Sequence, residues 1–521
     1  MKTTILFRCL IALVLGTLML GTGLPVYAGD GVDPIPPGPV TVLPEYIGAA
    51  VKAHPLPPNR VPQNPSLGPN PFNHDHNDSW MSDTYNIAGP LGREPQVLTN
   101  RMVEARRNPD STIFHCPGTT ADSHGRLVLS CDGVGEWSLV LVDPVTLEVL
   151  AYKHLPLTNL QTALSASYLY IDNQDRAVIM VPHEVDDQMV VKIQLYRQTG
   201  LPGDLGFALD AEYDLTEYVP KGDKINGVLP DWQGRIWFVV RNLASVGVVD
   251  PATGTVVDFL QLEGKITNSF AMTRDAAYIV TTKYMYRIEL GPDGALHVIW
   301  QAPYQNINTQ KPGQLSAGSG TTPTILGNGR YVAIADNAEQ MHVTVFRTEP
   351  QLNPADQLLC EVPVFKKGKA ADENSLIGTG LSMIAYNAYG YDIAQVYEKG
   401  MSMHNEPGIA RVDIDPDGKG CHLVWENDDV EFTDSVAKLS TWTGLVYAVT
   451  RKYDKTVPGH GNFGHDVYYF SAIDFRTGEV VWERQIGTGI AYDAWADLVI
   501  GLNGTAYLLE FGGLVTVRDT R

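Results

Sequence analysis

The sequence predicts an all-β protein, an eight-bladed β-propeller, and three observations support that prediction. The stretch Tyr469 to Gly489, YFSAIDFRTGEVVWERQIGTG, alternates apolar positions on either side of Arg476-Thr477-Gly478, a β-hairpin signature whose Gly suits a left-handed turn position. The phrase recurs closely at Val248-Val249-Asp250-Pro251-Ala252-Thr253-Gly254-Thr255-Val256-Val257 and loosely from Leu141 to Leu150. A third variant joins Val412 to Gly418 with Leu423-Val424-Trp425. The copies lie roughly 40 to 65 residues apart, the length of a four-stranded blade. Seven blades is the alternative count, because the second is irregular and the sixth is swollen by an insertion.

Residues 1–28 read as a cleavable export signal. Lys2 and Arg8 form its basic start, Cys9 to Leu20 its apolar core, and Val26-Tyr27-Ala28 a small-residue cleavage site. That core is too short to span a bilayer, and no later run approaches about 18 apolar residues. The expected location is periplasmic or secreted, with no membrane span. From 29 to 110 a Pro- and Asn-rich leader follows, as in Pro34-Ile35-Pro36-Pro37-Gly38-Pro39. Proline removes backbone donors, so the leader is expected to wrap the surface in an extended form.

The propeller occupies 111–521. Blade 1 spans about 111–157, with Arg126–Ser130 and Leu139–Asp143 as its second and third strands. The matching pairs are Ala177–Val181 and Val190–Tyr196 in blade 2, and Ile236–Val240 and Val246–Asp250 in blade 3. Blade 4 has Ala277–Thr281 and Met285–Leu290, and blade 5 has Tyr331–Ala335 and His342–Arg347. Blade 6 carries an insertion between Asn387 and Gly408, and blade 7 has Leu445–Thr450 and Tyr468–Asp474 around another. Blade 8 shows Asp497–Ile500, Thr505–Leu509 and Leu514–Arg518, one strand short. An open ring leaves unpaired edges, so Gln96-Val97-Leu98-Thr99 is expected to supply the missing outer strand and close the propeller with both termini.

On the phrase Ile473-Asp474-Phe475-Arg476-Thr477-Gly478-Glu479-Val480-Val481-Trp482, with Asp250-Pro251-Ala252-Thr253-Gly254, the chain resembles the quinoprotein-like propeller superfamily. The resemblance covers blades 1, 3 and 7, and weakly 6, and implies turn roles: Asp caps, Gly permits the turn, Trp packs between blades. It does not bring the redox activity with it. Cofactor-dependent members set an adjacent cysteine pair against pyrroloquinoline quinone, and no two cysteines here are adjacent, so that cofactor is not expected.

Net charge is −21, and about −23 once the signal's two basic residues are removed. Nucleic acid is disfavoured as a partner, whereas a polyanionic substrate remains open wherever a local basic cluster outweighs the global field. Of five cysteines, Cys9 leaves with the signal. The remaining four allow two disulfides, Cys116–Cys131 across one strand connection and Cys360–Cys421 between neighbouring blades.

Propeller ligands bind at the channel mouth, so the residues ending each second strand are the candidates. They are Asp132, His183-Glu184, Arg241-Asn242, Thr282-Lys283, Asp336-Asn337, Asn387, Arg451-Lys452 and Glu510. His183 and Glu184 are the acid–base candidates, because imidazole titrates near neutrality and burial tunes a carboxylate. Arg241, Asn242, Lys283, Arg451 and the inserted-loop His404 are expected to hold substrate, the cations by clamping a carboxylate or sulfate. Asp336, Asn337 and Asn387 offer oxygens for a divalent cation such as calcium, and His74 and His76, alternating in Asn73-His74-Asp75-His76-Asn77-Asp78, offer nitrogens. The small residues from Ser316 to Thr324 lack the Lys of a phosphate loop and are expected to relieve crowding at the channel. These features point to an exported propeller that binds a small or oligomeric organic substrate and acts on it by non-redox hydrolysis or elimination. The alternatives are a non-catalytic binding platform and a quinoprotein-type oxidoreductase.

Overall fold

Eight sheets stand around one axis, each built of antiparallel strands running from an inner strand outward, and in blade 7 the leader strand Thr84–Tyr85 adds a parallel pair with Leu439 and Ser440 at the inner edge. The computed structural model describes residues 41–101, 113–133, 136–156, 168–185, 188–391, 405–433, 435–454, 456, 466–488, 497–510 and 513–520. Residues 1–28, expected to form an export signal, and the inserted-loop residue His404 lie outside them. Several strands fall where the apolar alternation puts them, including Ile236–Val240, Tyr331–Ala335 and His342–Arg347. The second strands of blades 1, 2 and 7 run further, to Gly133, Val185 and Tyr453. The alternation loses its signal at the first polar residue, but the ladder continues, with Tyr453 still opposite Asp466.

Closure uses both termini. Gln96–Arg101 pairs antiparallel with Gly513–Arg518 and forms the outer strand of blade 8. A second leader strand, Tyr46–Gly48, adds to the outer edge of blade 7, where Gly48 at φ 84° lets the backbone approach Val481 more closely than any Cβ allows. Both leader strands therefore cover an outer edge that would otherwise template aggregation.

The repeated hairpin turns work as their residues suggest. Asp474 Oδ1 accepts from the amides of Arg476 and Thr477, Asp250 Oδ1 from Ala252, and Asp143 Oδ1 from Val145 and Thr146. Gly478 and Gly254 take φ of 75° and 72°, and in the loose copy Leu147 takes the left-handed place at 56°. Trp482 is fully buried, and Trp425 donates its indole N–H to the Phe475 carbonyl across the blade boundary. A second repeat sits at the inner hairpins of blades 1 to 3. Asp122, Asp172 and Asp231 each bind the arginine four residues on, with Nε to Oδ2 distances of 2.7, 2.7 and 2.6 Å. Both disulfides form, Cys116–Cys131 within blade 1 and Cys360–Cys421 between the outer strands of blades 5 and 6.

Not all of the leader lies on the surface: the run from Asn73 to Tyr85 is buried. It crosses the end of the channel that carries the inner hairpins, and its carbonyls take the inward amides of the innermost strands. Ala121 donates to Phe72, Ile171 to Asn73, Met272 to Ser79, Ile325 to Trp80, Gly378 to Ser82 and Leu439 to Asp83. Blade 3 is reached by Asn64, whose Nδ2 donates to the Pro230 carbonyl at 2.8 Å. Innermost strands have one unpaired edge, and the backbone carbonyls of this segment satisfy it. The channel is thereby plugged at this end.

Candidate functional site

At the open mouth, between blades 3 and 4, lies a cleft of about 470 Å³ lined by Arg241, Asn242, Lys265, Thr267, Thr282, Lys283 and the 308–317 connection. Arg241 and Asn242 follow the second strand of blade 3, and Lys283 follows that of blade 4. Asp223 fixes the blade 3 turn, accepting from the Asn242 and Leu243 amides at 2.9 and 2.8 Å. The long connection from blade 4 to blade 5 forms one wall. Asn306 Nδ2 braces it by donating to the Thr282 and Ala317 carbonyls, and Lys311 Nζ by donating to the Ala338 and Ala370 carbonyls. Steric crowding accounts for its small residues: a Cβ on Gly318 would stand 2.5 Å from Thr282 Cα, and one on Gly320 would strike the Glu373 carboxylate.

The cleft is electropositive. Among the described residues neither Arg241 nor Lys265 is in an ion pair, and Lys283 meets only the exposed Glu263 carboxylate at 3.2 Å. Arg241 donates one guanidinium N–H to the Leu315 carbonyl at 3.4 Å and keeps its other donors. Behind it, Lys224 is pushed down to about 8 by burial and by the Arg241 charge. Such a set holds a carboxylate, sulfate or phosphate by charge-assisted hydrogen bonds.

Polar groups continue inward from the cleft. Thr267 Oγ1 donates to the Ser319 carbonyl at 3.2 Å, Asn268 Nδ2 to the Glu373 carbonyl at 2.7 Å, and Tyr168 to Asn268 Oδ1 at 2.5 Å. The Tyr168 ring stands 6.2 Å from His74 and 5.9 Å from His76. Here the leader meets blades 6, 7 and 8. Lys438 Nζ lies 2.5 Å from Asp83 Oδ1, His76 Nδ1 lies 3.1 Å from the same oxygen, and Ser375 Oγ lies 2.8 Å from His76 Nδ1. Burial dominates the titration of this floor. It holds His74 well below the ordinary imidazole range, helped by the His76 and Lys438 charges, and lifts Asp75 well above the carboxylate range, helped by Asp497. Asp497 is pushed up to about 6 and Asp78 to about 7, burial leading in both.

Of the residues singled out from sequence, the structure brings Arg241, Asn242 and Lys283 together and adds Lys265 and Lys224. Lys224 and Lys265 lie on connections between blades, which a reading confined to second-strand ends passes over. Arg451 is held inside blade 7 by Glu431, at 2.6 Å from Nη2, so it is no open clamp. Asp336 accepts from the His342 and Ala338 amides and faces His342 Nδ1 at 2.7 Å, which raises that imidazole. Asn387 accepts from the Ala371 and Tyr389 amides at 3.1 Å each, and Asn337 Nδ2 donates to Asn306 and Thr309. These three tie connections together. Among the described residues no three His, Cys, Asp or Glu side chains converge as metal ligands, and His74 and His76 stack on each other, ring centroids 5.9 Å apart. His183 and Glu184 lie inside the second strand of blade 2, opposite Val190 and Met189, and their side chains lie outside the described residues.

No family model and no curated protein matches the chain. Among solved structures it is similar to a streptogramin B lyase, at 13% identity over 81% of this chain and 97% of that one, with a TM-score of 0.39. It is also similar to BamB from Moraxella catarrhalis, at 13% identity over 65% and 95% of the two chains, with a TM-score of 0.29. The computationally designed Ika8 protein gives 12% identity over 78% and 97%, with a TM-score of 0.44.

Proposed function

We propose that this is an exported propeller whose mouth, between blades 3 and 4, binds a small or oligomeric organic anion. One observation supports this above the rest: Arg241 and Lys265 line a cleft without carboxylate partners in a chain of net charge −21. Surface cations scattered for solubility gather acids around them, whereas cations kept apart from acids in a concave site are placed for a ligand. Each charge-assisted hydrogen bond to that ligand is worth about 1.5 to 3 kcal/mol. Citrate, titrated calorimetrically into the mature protein, is expected to bind. Arg241→Ala and Lys265→Ala should each weaken it about tenfold, which is ~1.4 kcal/mol, without moving the melting temperature. Unchanged affinity in both variants would sink the reading.

On a bound anion the chemistry we favour is non-redox, hydrolysis or elimination, with His183 and Glu184 on the neighbouring hairpin moving the proton. Anion binding by Arg241 and Lys265 would then stabilise charge developing in the transition state as well. Once a substrate is found, His183→Ala should abolish turnover at intact citrate affinity. Full turnover in that variant would reassign the acid–base role.

A further inference from the structure

A second cleft, of about 270 Å³, opens on the plugged face between the inner hairpins of blades 7 and 8. Its lining includes Trp442, Arg93, Arg518, Asp519, Leu91 and Gly504. Trp442 sits at the tip of the blade 7 hairpin and is 51% exposed, in a protein whose Trp137, Trp237 and Trp482 are buried. Arg93 leads into the closing strand, and Arg518 ends the strand paired with it. Among the described residues neither guanidinium is in an ion pair. Asp519, the acid in the same cleft, accepts from the Leu91 and Arg93 amides at 2.7 and 2.9 Å, which fixes the wall, and its charge acts on Arg93 without a direct ion pair.

We infer that this cleft binds one residue of an acidic sugar, a uronic acid within an oligosaccharide. A flat, exposed indole offers an apolar face for the C–H side of a pyranose ring, and planar guanidinium groups fit a carboxylate bidentately. A cationic ligand is repelled by the two arginines. The cleft lies below the roughly 300 to 1,000 Å³ of a drug-sized pocket, which limits it to about one ring. An extended peptide would need an unpaired strand edge, and here the edge is taken. The His54 and Leu56 amides already donate to the Thr443 and Thr441 carbonyls, and Thr441 donates to Tyr85. The inference is independent of the mouth cleft, since none of its residues is shared.

Calorimetric titration of trigalacturonate into the full mature protein tests it. Binding is expected in the Arg241→Ala/Lys265→Ala background, which removes the mouth-cleft clamp, with affinity reduced at least tenfold when Trp442→Ala or Arg518→Gln is added. The methyl-esterified trimer, which lacks the charges, and glutarate, which lacks the ring, should each bind at least tenfold more weakly. Trp442 is at an exposed hairpin tip, so the parent melting temperature should be retained. Absence of binding at millimolar trigalacturonate overturns the inference. So does equal affinity in Trp442→Ala, equal affinity for the ester, or tighter binding of hexaglutamate.

Discussion

Asp497 shows how a single buried carboxyl sets a pH dependence. Its folded pKa of about 6 lies above the 3.8 of an unperturbed Asp, because burial disfavours the charge. Below about pH 4 both folded and unfolded states hold the proton, and between about 4 and 6 only the folded state does, so stability falls as pH rises through that window. Above it the full penalty applies, roughly two pH units or about 3 kcal/mol. Asp75 moves in the same direction, and removing the Asp497 charge eases it too. His74 has the opposite sign: its imidazole is depressed in the fold, so acidification through about 6.5 costs stability as the unfolded state takes up the proton. Asp497→Asn should match the parent in urea unfolding near pH 4 and exceed its stability by about 1 to 3 kcal/mol at pH 8. A constant difference at both pH values would refute the assignment. None of this network is legible in the sequence, because Asp83 and Lys438 stand 355 positions apart and meet only once the ring has closed. The histidines of Asn73-His74-Asp75-His76 were visible, but their surroundings come from blades 6, 7 and 8.

At the scale of elements the sequence was far more legible. The Asp and Gly of the outer hairpins in blades 3, 6 and 7 are local requirements of a turn, and they recur because those blades make the same reversal. Gln96–Thr99 could be assigned as the closing strand because an open ring has a physical cost that only a spare strand removes. The inner-hairpin Asp–Arg repeat at Asp122, Asp172 and Asp231 was equally local, yet it falls in turns where polar residues are unremarkable. The plug was less legible: Asn73 to Tyr85 reads as a polar loop, and only the inward amides of the innermost strands show why it is buried. The disulfides allow a graded test. Cys360–Cys421 closes 61 residues and Cys116–Cys131 closes 15. Chain entropy then assigns about 4.3 kcal/mol to the longer loop and about 3 to the shorter. The paired serine variants should lose stability to urea in that order. The reverse order would show that strain or residual structure outweighs loop length.

For the whole molecule, the question is which field a ligand feels. Net charge of −21 repels an anion at long range, while Arg241, Lys265 and Lys283 attract it within the cleft. Salt separates the two. At about 0.1 M the screening length is ~10 Å, so most of the surface is already screened at the mouth while a bound anion still feels its contacts. At 0.01 M screening extends to about 30 Å, and the entire negative surface contributes. Citrate affinity should therefore pass through a maximum: weaker at about 0.01 M, where global repulsion acts, strongest near 0.1 M, and weaker again towards 1 M, where contacts themselves are screened at ~3 Å. Arg241→Ala with Lys265→Ala should flatten the fall at high salt, because Lys283 is then the one lining cation left while the global repulsion is still there to be screened. Calorimetry across that range checks both curves. A simple decline in the parent protein from the lowest salt upward would mean that the local cations dominate at every distance, and that net charge has no part in selecting the ligand.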